Sequence, residues 1–278
     1  MYPPARRTLD LLELLADAPD GLALSAIAAR LGLAKSVVHR LLTGLAERGF
    51  ARQDPATQHY ALTLKLAALG FRHLSATRIE EVCQPVLDRL AADSGELARL
   101  AVVDGGHMTW VAKAQGALAG LRYDADAGRD VILHATAVGK TWLASLPEET
   151  ALALVARTGF ATMAGLGPRA ARTLGAVRQH LRETRKRGCG EAVEEGEPGV
   201  AAIAAAVRAS PGPAAPVVAT VSIAGPLARM NAARRAALRP PLLAAADDLT
   251  AVWPVRARHA RAAAVAGASA DVETADAQ

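Results

Sequence analysis

Three places in this 278-residue chain bring chemistry-bearing side chains together. The first is the run from Leu133 to Ser145, LHATAVGKTWLAS, where Gly139, Lys140 and Thr141 copy the end of a phosphate-binding loop. Such a loop wraps phosphates with backbone N–H groups and needs a glycine five positions before the Gly-Lys pair. His134 stands there, and no other glycine-rich cradle precedes Lys140, so the match is too short to argue for a nucleotide. The second is Cys189 with His180 and Glu191, which could be arranged as nucleophile, base and orienter. A lone cysteine opening a strand reads more simply as a packed small hydrophobe. The third is Glu194, Glu195 and Glu197 with His134, a conceivable cation site. No His/Cys pair sits at metal spacing, and a carboxylate run in a turn is ordinarily solvated. Taken alone these clusters argue for no catalytic residue, no metal and no cofactor. The elements around them must say what they do.

Composition narrows the choice. Half of the chain is hydrophobic (51%), mostly Ala, Leu and Val, enough to fill the core of one large domain or two smaller ones. The longest apolar runs, such as Val200 to Val207, fall far short of a membrane span. The first residues, MYPPARRTLDLLELLADAPDG, carry acidic groups through their apolar part and do not read as a signal peptide. With only Cys83 and Cys189, the chain is expected to be a cytoplasmic protein with reduced thiols. The net charge of +5 is mild, but residues 1–77 hold nine Lys/Arg against six Asp/Glu, which hints at an anionic partner for that segment.

The patterning of that segment is specific. Leu9, Leu12, Leu15 and Ala16 share one face of a helix from Thr8 to Ala18. Ser25 is a good N-cap for a short helix over Ala26 to Leu31, and Gly32 permits the left-handed residue of a tight turn. A second helix runs from Ala34 to Glu47 with Val38, Leu41, Leu42 and Leu45 as its buried stripe. This leaves Lys35, Ser36, His39, Arg40 and Thr43 outside and Val37 at the margin, a surface suited to a recognition helix in the major groove. The run FARQDPATQHYALT then reads as strand, turn at Asp54-Pro55-Ala56-Thr57, and returning strand, a wing with Arg52, Gln53 and His59 toward DNA. Ser25, Lys35, Ser36, Val37, His39, Arg40, Thr43, Arg52 and His59 are the expected DNA-facing set.

Beyond residue 63 a helix from Leu64 to Leu74, interrupted by Gly70, leads into a mixed pattern. A helix over Glu80–Asp93 precedes a strand pair, LARLAVVD and HMTWVAKAQG, joined at Gly105-Gly106. Helices are expected near residues 137–145, 148–157 and 170–187, and strands at Glu191–Val193, Val200–Val207 and PVVATVSIAG. SPGPAAP (Ser210 to Pro216) reads as a hairpin-like loop between strands, and Leu227 to Val252 as a closing helix. Residues 256–278, Ala-rich and without a core stripe, read as a disordered tail.

The run LGLAKSVVHRLLTGLAERGFARQDPATQHYALTLKLAALG resembles the DNA-binding domain of the IclR family of bacterial transcription regulators. It departs from the family pattern in carrying Ala34 for the usual proline and Val37 for threonine, which removes one base-edge donor. LHATAVGKTWLA, RKRGCGEAVEEGEPGVAAIAAAV and VVATVSIAGPLARM are similar to three signature runs of that family's effector-binding domain. The resemblance spans Thr8 to Trp253 in the expected order. It implies an α+β protein: a winged helix-turn-helix over residues 1–63, a linker helix over 64–77, and a GAF-like effector-binding domain over 78–255.

By the same resemblance the Gly-Lys-Thr run is a loop-to-helix junction forming one wall of an effector pocket, not a nucleotide site. Its walls fall on Ala137, Val138, Ala192, Ala202, Ser222 and Ala224. Five of these six are apolar, and family members often carry polar groups there. The expected effector is therefore a small organic acid of aromatic or cyclic character, held by N–H groups near Val138. The expected partners are double-stranded DNA with a palindromic operator and further copies of the chain, as homodimer or homotetramer, with no membrane. Two other functions stay open at this level: an enzyme acting on a molecule bound in the second domain, and a ligand-independent DNA-binding protein. Neither the effector's identity nor the sign of regulation follows from the sequence.

Overall fold

The computed structural model of the chain describes residues 3–124, 131–160 and 165–253. The expected tail at 256–278 lies outside the described residues. The chain divides into two compact units, Met1–Thr77 and Arg78–Gln278.

In the first unit the order is α1 (Pro3–Ala16), α2 (Leu24–Leu31), α3 (Lys35–Glu47), β1 (Ala51–Gln53), β2 (Tyr60–Leu62) and α4 (Lys65–Thr77). The first helix starts well before Thr8, because Pro3 and Pro4 sit in the first turn, where a missing N–H costs nothing. Leu11, Leu15, Ile27, Val38 and Leu42 are fully or almost fully buried and join α1, α2 and α3 around one core. Each such side chain contributes about 2 kcal/mol of apolar burial. Gly32 takes φ +63°, and the N–H groups of Gly32 and Leu33 bond back to Ala29 and Ala28 carbonyls, ending α2 sharply. Ser25 does not cap this helix: Ala23 holds the N-cap position, α2 begins at Leu24, and Ser25 stands exposed in its first turn. The apolar Leu22–Leu24 approach, tied to Tyr60 by the Leu22 bridge, sets that start instead.

The wing pairs Ala51 with Leu62 and Gln53 with Tyr60. Its turn closes on Asp54, whose Oδ1 accepts from the N–H groups of Ala56 (2.9 Å) and Thr57 (2.8 Å). The hydrogen bonds from Thr57, first the N–H and then the hydroxyl, hold the Asp54 carboxyl below its usual range. α4 runs unbroken through Gly70 rather than being interrupted there. Lys65 anchors its start, donating to the Arg48 carbonyl at the end of α3 and lying over the Phe50 ring.

The second unit contains α5 (Ile79–Ser94), β3 (Leu97–Asp104), β4 (His107–Gln115), α6 (Ala137–Ser145), α7 (Glu148–Thr158) and α8 (Leu174–Arg187). Then come β5 (Gly190–Val193), β6 (Val200–Arg208), β7 (Val217–Pro226) and α9 (Ala232–Val252). The five strands form one antiparallel sheet in the order β4-β3-β7-β6-β5. α5 and α9 cover one face, burying Leu87, Leu90, Leu242 and Leu249 against Leu100, Ile203, Val221 and Ile223. α6, α7 and α8 gather beside the other, with Leu143, Val155 and Leu181 at the centre. The closing helix begins at Ala232, not Leu227: the Arg229 and Met230 N–H groups turn back to the Pro226 carbonyl, and Asn231 caps the helix through the Arg234 N–H at 2.9 Å. Among the described residues no helix is long and apolar enough to cross a membrane.

Candidate functional site

The first candidate surface is the outer face of α3. Burial of Val38, Leu42 and Leu45 turns the opposite side outward, and Lys35, Ser36, His39, Arg40 and Thr43 are all exposed, with Val37 half-buried at the margin. The Thr43 hydroxyl donates to the His39 carbonyl at 2.9 Å, so it reaches outward chiefly as an acceptor. Ala34, the N-cap, supplies no side-chain acceptor, which leaves the first N–H groups of the helix for a phosphate. On the wing Arg52 is exposed and His59 half-buried. A cation-bearing helix face and an exposed wing arginine in one small unit are the features that a DNA-reading surface needs.

The second candidate is a cavity of about 480 Å³ in the second unit, within the range that holds small organic ligands. All six expected wall positions, Ala137, Val138, Ala192, Ala202, Ser222 and Ala224, line it. Sheet register explains why. Ala192, Ala202 and Ala224 lie side by side across β5, β6 and β7, and Ser222 pairs with Arg99 of β3 on the same face. Small side chains in a row leave a hollow between the sheet and the start of α6.

The Gly-Lys-Thr run shapes that hollow, and its lysine is engaged by a carboxylate of this chain. Thr136 caps α6, its hydroxyl accepting from the Gly139 N–H at 3.1 Å. This leaves Ala137 and Val138 as the first-turn amides beside the cavity. A Cβ on Gly139 would stand 2.3 Å from the Leu133 carbonyl oxygen, so only glycine lets this junction fold back on itself. Lys140 is buried, and its ammonium lies 2.7 Å from both oxygens of Glu195, which is also buried. Burial pushes the Lys140 ammonium down while the Glu195 charge opposes it. Burial would raise the Glu195 carboxyl, but the hydrogen bond to His180 and the Lys140 charge outweigh it and hold it low. The pair ties α6 to the 194–199 loop, so two walls of the cavity are fixed by one ion pair.

The sequence reading missed the polar side of this cavity. Arg99, Trp110, Tyr123 and Glu197 also line it. The Arg99 guanidinium lies 3.7 Å above the Trp110 ring and 5.5 Å from the Tyr123 ring centre. The Tyr123 hydroxyl donates to Glu197 at 2.7 Å, and the Gln115 amide donates to the Tyr123 carbonyl at 2.9 Å. A β-bulge between Leu100 and Ala101 places Trp110 opposite Ala101 on the cavity face, where strict alternation would have turned it away. An arginine alone in the apolar run LARLAVVD was the signal available.

The other clusters disperse. Cys189 is buried, and burial raises its thiol pKa, which suppresses the thiolate. His180 faces Glu195 at 3.3 Å, while Glu191 pairs with Arg235 at 2.8 Å, so nucleophile, base and orienter are not assembled. Glu194, Glu195 and Glu197 turn to Gly199, Lys140 and Tyr123 respectively, and His134 packs edge-on against Phe160 at 4.9 Å.

Comparison with known proteins gives the chain its family. Residues 71–251 match the bacterial transcriptional regulator IclR C-terminal family, and residues 4–55 match the IclR helix-turn-helix domain. The chain is 30% identical over 256 residues to the acetate operon repressor of Salmonella typhimurium, covering 89% of this chain and 88% of that protein. It is 34% identical over 251 residues to the regulator BhcR of Paracoccus denitrificans, covering 88% and 85%. Among solved structures, an IclR homolog from Microbacterium hydrocarbonoxydans complexed with 4-hydroxybenzoate has the same fold, with TM-score 0.67 and 22% identity over 88% of this chain and 98% of that one. With both halves matched in order and its named relatives regulators rather than enzymes, the chain belongs to the IclR family of bacterial transcriptional regulators and is a DNA-binding protein of that class.

Proposed function

We propose that the protein is a cytoplasmic, effector-controlled regulator. In this reading residues 1–63 read an operator, 64–77 form the linker helix, and the GAF-like second domain over 78–255 binds a small organic acid of aromatic or cyclic character. The cavity carries this reading: about 480 Å³, lined by small apolar residues, with a helix start and an arginine on its walls. The homolog complexed with 4-hydroxybenzoate supports the ligand class by analogy. Repression is the expected sign, since relatives such as the acetate operon repressor carry that name.

A single recognition helix covers few base pairs, so useful affinity requires two half-sites and a homodimer on a palindrome, which can pair further into a tetramer. The effector acts by binding the DNA-competent and incompetent arrangements with different affinity. The test is a footprint on DNA upstream of the protein's own gene, at fixed salt, with and without aromatic acids such as 4-hydroxybenzoate. The expected result is protection of a palindrome that an acid weakens or strengthens. A footprint unchanged by every acid that binds the protein would reject effector control.

A further inference from the structure

We propose that Arg99 is the specificity-determining residue of the cavity, selecting a flat monocarboxylate by pairing its guanidinium with the ligand's carboxylate while Trp110 backs the guanidinium from behind. This deepens the reading of the cavity as an effector site and rests on it.

The argument begins with the sheet. Arg99 sits in the middle of β3; toward β7 and β6 its register partners Ser222 and Ala204 are small, while on β4 it faces Lys113, which pairs with Asp124. On the β7 and β6 side, small residues leave the guanidinium open to the hollow. The bulged β4 brings the Trp110 ring under the guanidinium at 3.7 Å, an arrangement that fixes the plane of the fork. Arg99 is half-buried, and burial pushes its guanidinium down from its ordinary value, with Tyr123 and the Glu197 charge opposing. Its Nε is buried without a hydrogen-bond partner.

Two other withdrawn cations of this unit have carboxylates: Lys140 has Glu195 and Arg235 has Glu191. Among the described residues Arg99 has no carboxylate within ion-pair distance. Two carboxylates stand on the cavity wall, and both are engaged: Glu197 accepts from Tyr123, and Asp124 pairs with Lys113 at 2.9 Å. A half-buried cation without a carboxylate in direct contact is incompletely compensated, and a ligand carboxylate supplies that contact.

Geometry then sets the ligand's shape. A guanidinium fork takes a carboxylate through two parallel hydrogen bonds. The surrounding Val138, Ala192, Ala202, Val200 and Ala224 walls offer apolar contact to a flat ring, and Ser222 offers one hydroxyl. This moves the acid's anchor from the amides near Val138, where the sequence had placed it, to a side chain on the sheet.

The test uses the full-length protein and calorimetric titration with benzoate, 4-hydroxybenzoate and cyclohexanecarboxylate, each beside its carboxamide. At least one acid is expected to bind wild type tenfold or more tightly than its amide. Arg99→Gln is expected to bring that acid to within about twofold of the amide while leaving amide affinity unchanged. Arg99→Gln retaining the full preference for the acid overturns the role of Arg99 and leaves the effector reading standing. Equal binding of acid and amide by wild type does the same. If neither acids nor amides bind the folded wild type, the proposal and the effector reading fall together. Should Arg99→Gln not fold, Arg99→Lys carries the test, since it keeps the charge and loses the fork. Acid binding at least fivefold weaker with amide binding unchanged supports the proposal, and acid binding equal to wild type overturns it.

Discussion

Arg40 stands exposed on α3, one turn into the helix, where its fork can take a guanine edge or a phosphate. Because its neighbours Val38 and Leu42 carry the packing, Arg40→Ala should leave the fold intact. Operator binding is expected to weaken by about 1–3 kcal/mol, read by electrophoretic mobility shift, while titration of an acid into the second unit stays unchanged. Unaltered operator affinity would remove Arg40 from the interface. His134 makes a different kind of prediction. It is buried, its Nε2 has no partner, and burial lowers its pKa from the ordinary 6.5, with the Glu195 charge opposing and Lys140 reinforcing. A histidine held neutral in the fold favours the native state fully above pH 6.5, and that contribution is lost as pH falls below it, because the unfolded chain then takes the proton first. Glu195, held low, contributes its own loss only in the carboxylate range, near pH 4.5 and below. Melting temperature should therefore drop between roughly pH 7.5 and 5.5, and more steeply in wild type than in His134→Phe, which keeps a ring against Phe160. Parallel slopes for the two proteins would remove His134 as a source of that dependence.

At the scale of elements, two glycines do what their sequence context could only suggest. Gly190 opens β5 directly against α6: a Cβ there would lie 2.2 Å from the Ala137 carbonyl oxygen and 2.3 Å from Thr141 Oγ1. Gly190→Ala should destabilise the second unit by about 1–3 kcal/mol or more and move the Ala137 wall, weakening ligand binding as well. Gly175, exposed in α8 with nothing nearer than 3.9 Å to a new Cβ, should respond with the opposite sign, gaining about 0.5–1 kcal/mol on Gly175→Ala. Chemical denaturation of both variants separates crowding from propensity, and equal responses would reject the steric account. The same scale shows what could be read in advance. The α3 stripe and the turn at Gly32 follow from helical periodicity and left-handed backbone, both local properties, so they were legible. So was the hollow lined by Ala192, Ala202 and Ala224, but only through family likeness, because three alanines on separate strands carry no local signal. Trp110 was not legible, since the bulge that reverses alternation in β4 is set by pairing with β3 and leaves no mark in HMTWVAKAQG. Ser25 misled because a good capping residue stood two positions inside a helix whose start is fixed by the Leu22 bridge to Tyr60.

For the whole molecule the open physical question is what α4 is for. None of its residues is buried, although Ala67, Phe71 and Leu74 fall at i, i+4 and i+7 and Phe71 is 66% exposed. A short helix without a buried face is poorly stabilised by propensity alone, so it requires a surface to pack on. A second copy of the same helix is a self-complementary answer, and two-fold pairing there would also place two α3 helices for two half-sites. Phe71→Asp puts a charge into such a seam at a residue that belongs to none of α3, the wing or the cavity lining. The expected outcome is a monomer by analytical ultracentrifugation at micromolar concentration, with the circular dichroism spectrum retained. Operator affinity should fall by about 10²-fold or more at fixed salt, because each half-site is then held alone and the gain from simultaneous engagement disappears. Ligand titration should be unchanged, since the second unit forms its own core and cavity. A Phe71→Asp protein that still sediments as a dimer and still protects the operator would place self-association elsewhere. The exposed face of α4 would then be left without a role in DNA binding.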